Sequence, residues 1–266
     1  MKARELYQAG RLNEAIEAQI QEVKKHPADQ GKRLFLFELL AFAGDLDRAR
    51  RQIDAVRYDK MELDAAVTVY RQLLDAEQLR RRLFADGVPP RFFAEPPEHV
   101  RLRLEAVQRL REGNQAEAAA TLERANAAMP TLQGILNDTP FNALRDADDL
   151  LAGVLEVMAQ GCYFWVALEQ IENLEVAAPQ APRDLLWRSA ELTLNTGQTG
   201  GVFLPTLYPG SAQHPDDRVR LGRMTDWKAE PNGPVLGVGQ HLLLAGETEI
   251  ALLELRQLQV KPAGPS

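Results

Sequence analysis

Four carboxylates at the middle of the chain, Asp146, Asp148, Asp149 and Glu156, come nearest in type and spacing to a reactive set, because clustered carboxylates can hold a metal ion or share a proton. A second acidic pair, Asp216-Asp217, stands beside His214. Neither group has a second cluster at ligand spacing, so helix caps and turn residues are the better account of both. The four histidines, His26, His99, His214 and His241, stand apart, without the His-Glu-X-X-His pairing of a helical zinc site. Gly237-Val-Gly239 lacks the third glycine and the following helix of a dinucleotide loop, and no Gly-X-Ser-X-Gly elbow occurs. Ser211 and His241 have no sequence relation that brings them together. The single cysteine, Cys162, excludes an internal disulfide and reads as a small buried hydrophobe. Arg80-Arg-Arg82 reads as the solvated, dipole-complementing end of a helix rather than an anion site. No catalytic residue, metal site or cofactor is therefore expected.

The elements that must position these residues change period near Asp146. Upstream, Leu6 to Ile16, Leu34 to Ala49 and Leu102 to Ala118 repeat one pattern: helix, Gly, a polar residue, then a second helix with an Ala five residues after the Gly. Gly10 and Gly44 are 34 residues apart and Gly44 and Gly113 are 69 apart, which is the tetratricopeptide period once and nearly twice. Between the last two copies lie a long helix from Met61 to about Ala85 and the loop Gly87 to Pro97. Stacked helical hairpins of this kind hold a peptide or a partner helix. The register predicts a groove lined by Leu34, Glu38, Phe42, Arg103, Val107, Leu110 and Arg111.

Downstream, Val154 to Leu168 reads as a β-hairpin with Gln160-Gly161 at its tip. Further short apolar runs follow at Asp184–Leu194, Gly201–Gly210, Val219–Trp227, Val235–Ala245 and Glu249–Val260. Six or seven strands in this length suggest a small closed or half-closed antiparallel barrel, since closure removes exposed edges. Trp165, Trp187 and Trp227 fall one per strand, as core anchors. The expectation is a multi-domain α and β chain: tetratricopeptide-like repeats over 1–146, a barrel-like all-β domain over 147–260 and a flexible tail at 261–266.

Charge narrows the partner. The net charge of −7 resides in the second part: residues 1–146 hold 23 Lys+Arg against 23 Asp+Glu, and 147–266 hold 8 against 15. Such a balance repels a phosphate backbone, which argues against nucleic acid. No run is long and apolar enough to span a bilayer, and the start lacks the apolar core of a signal peptide, so a cytoplasmic protein without membrane contact is expected.

Several motifs are distinctive together: Asp146-Ala-Asp-Asp-Leu-Leu151, Tyr163-Phe-Trp-Val-Ala-Leu-Glu-Gln-Ile171, Arg183-Asp-Leu-Leu-Trp-Arg188, Val202-Phe-Leu-Pro-Thr-Leu-Tyr-Pro-Gly-Ser211 and Leu221-Gly-Arg-Met-Thr-Asp-Trp227. In these the sequence resembles the ImpE family, also called TagJ, of bacterial type VI secretion. The resemblance implies a non-enzymatic cytoplasmic adaptor that binds the small contractile-sheath subunit TssB, near the ATPase ClpV that dismantles the sheath, and it supplies no catalytic residues. Two other readings stay open: a regulatory module whose β-domain grips a peptide or small ligand through Trp165 or Trp187, and a hydrolase using Asp148 and Asp149.

Overall fold

The computed structural model describes residues 1–261; the tail expected at 261–266 lies, apart from Lys261, outside the described residues. Seven helices come first: α1 (Ala3–Gln8), α2 (Leu12–Lys25), α3 (Gln30–Phe42), α4 (Leu46–Asp54), α5 (Met61–Asp86), α6 (Glu98–Arg111) and α7 (Gln115–Ala128). The pairs α1/α2, α3/α4 and α6/α7 are hairpins, each turned by a glycine with positive φ: Gly10 at 74°, Gly44 at 74° and Gly113 at 81°. Only glycine adopts this conformation without strain, which is why the three recur in the sequence. Ala15, Ala49 and Ala118 are each fully buried, so their small side chains let the paired helices approach closely.

Strands follow: β1 (Gln133–Leu136), β2 (Thr139–Phe141), β3 (Leu144–Asp146), β4 (Val154–Ala159), β5 (Cys162–Ala167), β6 (Ile171–Val176), β7 (Trp187–Leu194) and β8 (Thr199–Pro205). After a short helix α8 (Asp217–Arg220) come β9 (Thr225–Ala229), β10 (Val235–Gly239), β11 (Leu242–Ala245), β12 (Thr248–Ala251) and β13 (Gln257–Lys261). The change of period thus falls at Gln133, and three strands lie ahead of the boundary expected at 146. The segment expected as a strand from Val219 begins instead as α8, because the Asp216 side chain accepts from the Arg218 N–H at 2.8 Å and caps a helical turn.

The main sheet is antiparallel with strand order β2-β1-β13-β6-β7-β8-β4-β5. Its ends, β2 and β5, do not pair, so the expected barrel is not closed. Closure is unnecessary at β5 because its free edge is already occupied. The Arg91 N–H donates to the Tyr163 carbonyl at 2.9 Å, and the Trp165 N–H donates to the Arg91 carbonyl at 3.1 Å. Two smaller sheets, β10-β9 and β12-β11-β3, complete the β-part. The hairpin tip is as expected, with φ of 49° at Gln160 and 77° at Gly161, the signature of a two-residue primed turn.

Alternation on β4 and β5 decides how the parts join. Leu155, Val157 and Val166 face a core internal to the sheets, whereas Val154, Met158, Tyr163 and Trp165 face a second core continuous with the helices. Polar clamps reinforce this joint. Asp217 accepts the Leu12 N–H at 2.7 Å at the start of α2, while Arg223 donates to the Tyr7 carbonyl at 2.7 Å and the Gln8 carbonyl at 2.8 Å at the end of α1. A carboxylate at one helix's N-terminus and a guanidinium at the other's C-terminus match the helix dipoles.

Candidate functional site

The residues of possible chemistry gather at this joint. Glu156 stands on the face of β4 covered by α5, opposite Trp165 on β5. Arg80 of α5 grips it with two parallel hydrogen bonds, Nε to Oε1 at 2.7 Å and Nη2 to Oε2 at 2.6 Å, and Nη2 also donates to the Leu207 carbonyl at 2.7 Å. His241, between β10 and β11, lies 2.9 Å through Nδ1 from Asp146 Oδ2 and 3.1 Å through Nε2 from Glu156 Oε2. The Tyr208 hydroxyl donates to Asp146 Oδ1 at 2.5 Å, the Tyr163 hydroxyl donates to Glu156, and the Trp165 indole N–H donates to the Tyr163 hydroxyl at 2.6 Å. Asp146, Glu156, Arg80 and His241 are all buried.

The electrostatics follow from pairing against desolvation. Burial alone would raise the Glu156 carboxyl, but the Arg80 guanidinium outweighs it and holds the group down at about 2. Burial would likewise lower His241, yet Asp146 and Glu156 lift it to about 9. With an acceptor at each ring nitrogen, His241 is an imidazolium that donates to both carboxylates. Two cations and two anions thus cancel in a dry interior. Asp148 lies beside them and is pushed up to about 7 by burial and by Asp146, although it accepts from the Gly237 N–H at 2.7 Å and the Leu151 N–H at 2.9 Å.

Sequence expectations fare unevenly here. Asp148 and Asp149 serve as turn acceptors, Asp149 taking the Val235 N–H at 2.8 Å, and Asp216 caps α8. Asp146 and Glu156 are not separate turn residues, because folding brings them to the same imidazolium. Arg80 is not solvated but belongs to the buried pair, whereas Arg82 does lie at the surface, 3.5 Å from Asp86. Ser211 does not meet His241; its hydroxyl donates to the Tyr208 carbonyl at 2.6 Å and accepts the Gly239 N–H at 2.7 Å. Cys162 is half-buried at the turn end of the hairpin, opposite Ala159. Trp165 and Trp187 are core residues, but Trp227 is 38% exposed on the β9-β10 ribbon. Among the described residues, no three His, Cys, Asp or Glu side chains are placed to hold a metal ion.

The seven groove residues do not form one open groove, because the β-part covers much of the face they share. Arg103 is completely buried and donates to the carbonyls of Asp149 at 2.8 Å and Leu150 at 3.2 Å. Burial and Arg145 lower it to about 10, so Arg103 fastens α6 to the loop after β3 rather than facing a partner. Glu38 is buried 3.7 Å from Arg183, and desolvation lifts it to about 7. Leu34 is half-buried against the helical core. Phe42 is buried in the wall of a cavity of ≈ 410 Å³, while Val107, Leu110 and Arg111 line a neighbouring one of ≈ 280 Å³. Arg80, Tyr208 and Ser211 border the larger cavity; His241, Asp146 and Glu156 lie behind them. Glu77 also lines its wall, 3.6 Å from Arg80 and 3.4 Å from Arg81.

The profile of the family described as ImpE protein matches residues 138–259, the stretch that holds Asp146, Glu156 and His241. The type VI secretion system accessory component TagJ of Pseudomonas aeruginosa is 39% identical, over 98% of this chain and 92% of that protein. The chain belongs to the ImpE family. A crystal structure of protein VPA1032 from Vibrio parahaemolyticus superposes with a TM-score of 0.88 at 26% identity, covering 97% of each chain. The match to the TagJ relative thus covers the helices as well as the sheets. Arg80 and His241 were the members of the buried quartet that sequence reasoning missed. The available signal was Glu156 itself, a lone carboxylate in the apolar run Val154-Leu-Glu-Val-Met158, which demands a buried cation.

Proposed function

We propose that this ImpE-family chain is a non-enzymatic adaptor of the type VI secretion system. It binds the small contractile-sheath subunit TssB through a helix of that subunit, and it assists sheath assembly or the disassembly driven by ClpV. The observation that carries this reading is the match along 98% of the chain to a relative named as an accessory component of that system. The chemistry of the joint supports it, because the buried carboxylates and the imidazolium spend their hydrogen bonds on one another and on Arg80. No helix among the described residues is long and apolar enough to cross a membrane, in keeping with a partner met in the cytoplasm.

The test is titration calorimetry of the full chain against the purified small sheath subunit of the same cell. Saturable binding at micromolar affinity, about 8 kcal/mol net, is the expected result. Absence of heat and of co-elution over the accessible concentration range sinks the assignment.

A further inference from the structure

The ribbon of β9 and β10 has an open edge with a self-complementary pattern of charge. Among the described residues β9 pairs with β10 alone, in the register Asp226↔Val238, Trp227↔Gly237 and Lys228↔Leu236. The other side of β10 is occupied, since the Val235 N–H donates to Asp149, the Gly237 N–H to Asp148 and the Gly239 N–H to Ser211. Backbone groups alternate in direction along a strand, so β10 meets β9 through Leu236 and Val238, bonded to Lys228 and Asp226. Thr225, Trp227 and Ala229 therefore turn their N–H and C=O groups outward, on a strand that is exposed from Asp226 to Ala229.

The side chains on this edge indicate what covers it. Trp227, Ala229 and Val235 share one face of the ribbon, with Trp227 38% and Val235 39% exposed. Asp226 and Lys228 share the other face. The Asp226 carboxylate reaches round to the open edge, where Oδ1 accepts the outward N–H of Trp227 at 2.8 Å, and His214 Nε2 holds Oδ2 at 3.2 Å. Lys228 makes no ion pair within 4.0 Å among the described residues. A lysine on an edge strand ordinarily discourages pairing with a second strand. Here an aspartate stands two residues before it, and that spacing suits one strand in particular.

We propose that β9 pairs antiparallel with β9 of a second copy of this chain, about a two-fold axis at Trp227, to make one continuous sheet β10-β9-β9-β10. In that register Asp226 of each copy lies opposite Lys228 of the other, Thr225 lies opposite Ala229, and the two Trp227 side chains meet at the axis. Pairing hands the Trp227 N–H to the other copy's Trp227 carbonyl and frees Asp226 Oδ1 for the incoming ammonium. The same charges disfavour the alternatives. A parallel arrangement sets Asp226 against Asp226 and Lys228 against Lys228, and a slip of one residue leaves both charges without a partner. The contact lies outside the helical repeats and is independent of the adaptor reading.

Sedimentation equilibrium of the full chain tests this, because the register dictates which chains associate. The wild type should pass from one chain to two with a Kd on the order of 10 µM, as suits a small polar interface, and should associate more weakly as salt rises. Asp226→Lys alone sets a lysine against Lys228, and Lys228→Asp alone sets an aspartate against Asp226, so each variant should associate about tenfold more weakly or not at all. An equimolar mixture of these two variants places lysines opposite aspartates at both positions and should form a heterodimer with the affinity of the wild type. The chain carrying both substitutions is self-complementary again and should dimerise alone. Ala229→Pro removes an outward N–H rather than a bond to β10, and should also weaken association about tenfold. Circular dichroism establishes that each variant is folded; if Asp226→Lys is not, Lys228→Asp and Ala229→Pro decide. A wild type that stays monomeric up to about 200 µM, well above that Kd, overturns the proposal. So do folded single variants that dimerise as the wild type does, and a mixture of folded variants that fails to associate.

Discussion

His241 carries most of the pH response of the molecule above neutral pH. Its folded pKa of about 9 exceeds the usual 6.5, so between those values the native state holds a proton that the unfolded chain releases. Stability from His241 is complete below about pH 6.5 and is lost as pH rises through 9, at no more than about 1.4 kcal/mol per pH unit for one proton. Asp148 and Glu38, both raised to about 7 by burial, act in the same direction at lower pH, since each must ionise in a dry site as the solution becomes less acid. Glu156, held down at about 2, acts oppositely and contributes stability above its ordinary carboxylate range that is lost toward pH 2. The melting temperature should therefore peak in mildly acid solution and decline from pH 6.5 to 9. His241→Gln removes the titrating group, so its melting curve should lie lower at pH 6 and be flatter over that interval. A wild-type melting temperature that holds level or climbs from pH 6.5 to 9 would contradict the imidazolium assignment.

Among the elements, the β9-β10 ribbon depends on a close approach at Gly237. A Cβ there would stand 2.4 Å from the Tyr208 ring, whose hydroxyl holds Asp146. Gly237→Ala should push that ring away and cost about 1–3 kcal/mol in urea unfolding, the range for overpacking a filled site. Gly161→Ala provides a contrast, because its neighbours stand at 3.8 Å or beyond and only the left-handed backbone is strained. Its cost should be about 1–2 kcal/mol, with the Tyr208 contact intact. These two glycines also show what was legible in the sequence. Gln160-Gly161 declares a tight turn from local residue types alone, as do Gly10, Gly44 and Gly113 between their helices. Gly237 declares nothing, because its requirement comes from Tyr208, distant in the chain and adjacent only in space. The same holds for the site: Glu156 in an apolar strand signalled a buried charge, but no local pattern tied it to Arg80 on α5 or to His241 beyond β10. Arg103 misled for a related reason, since a helix surface position at groove spacing looks identical whether solvent or the chain's own sheet lies above it.

At the scale of the whole molecule, two parts of different class share one core. Residues of α1 through α7 and of β4, β5 and β7 belong to a single buried apolar cluster, and Arg80, Arg103, Asp217 and Arg223 cross the joint with hydrogen bonds. A chain of this length would ordinarily be free to unfold in parts, because all-or-none behaviour is the habit of domains under about 150 residues. Here separating the parts exposes the Tyr163, Trp165 and Trp187 face of the sheet and strands the Glu156 carboxylate without its guanidinium. Exposing that apolar face costs about 25 cal/mol for each Å² returned to water. The halves should therefore lose structure together. Far-ultraviolet circular dichroism reports mainly on the helices, while methyl NMR signals of Leu174, Leu192 and Leu258, buried in the core internal to the sheets, report on the sheet. Followed in urea, the two signals should share one midpoint and one slope, and Arg80→Met should shift both midpoints by the same amount. Midpoints that separate in the wild type would mean that each part is held by its own core, and that the joint is a contact between two independent bodies.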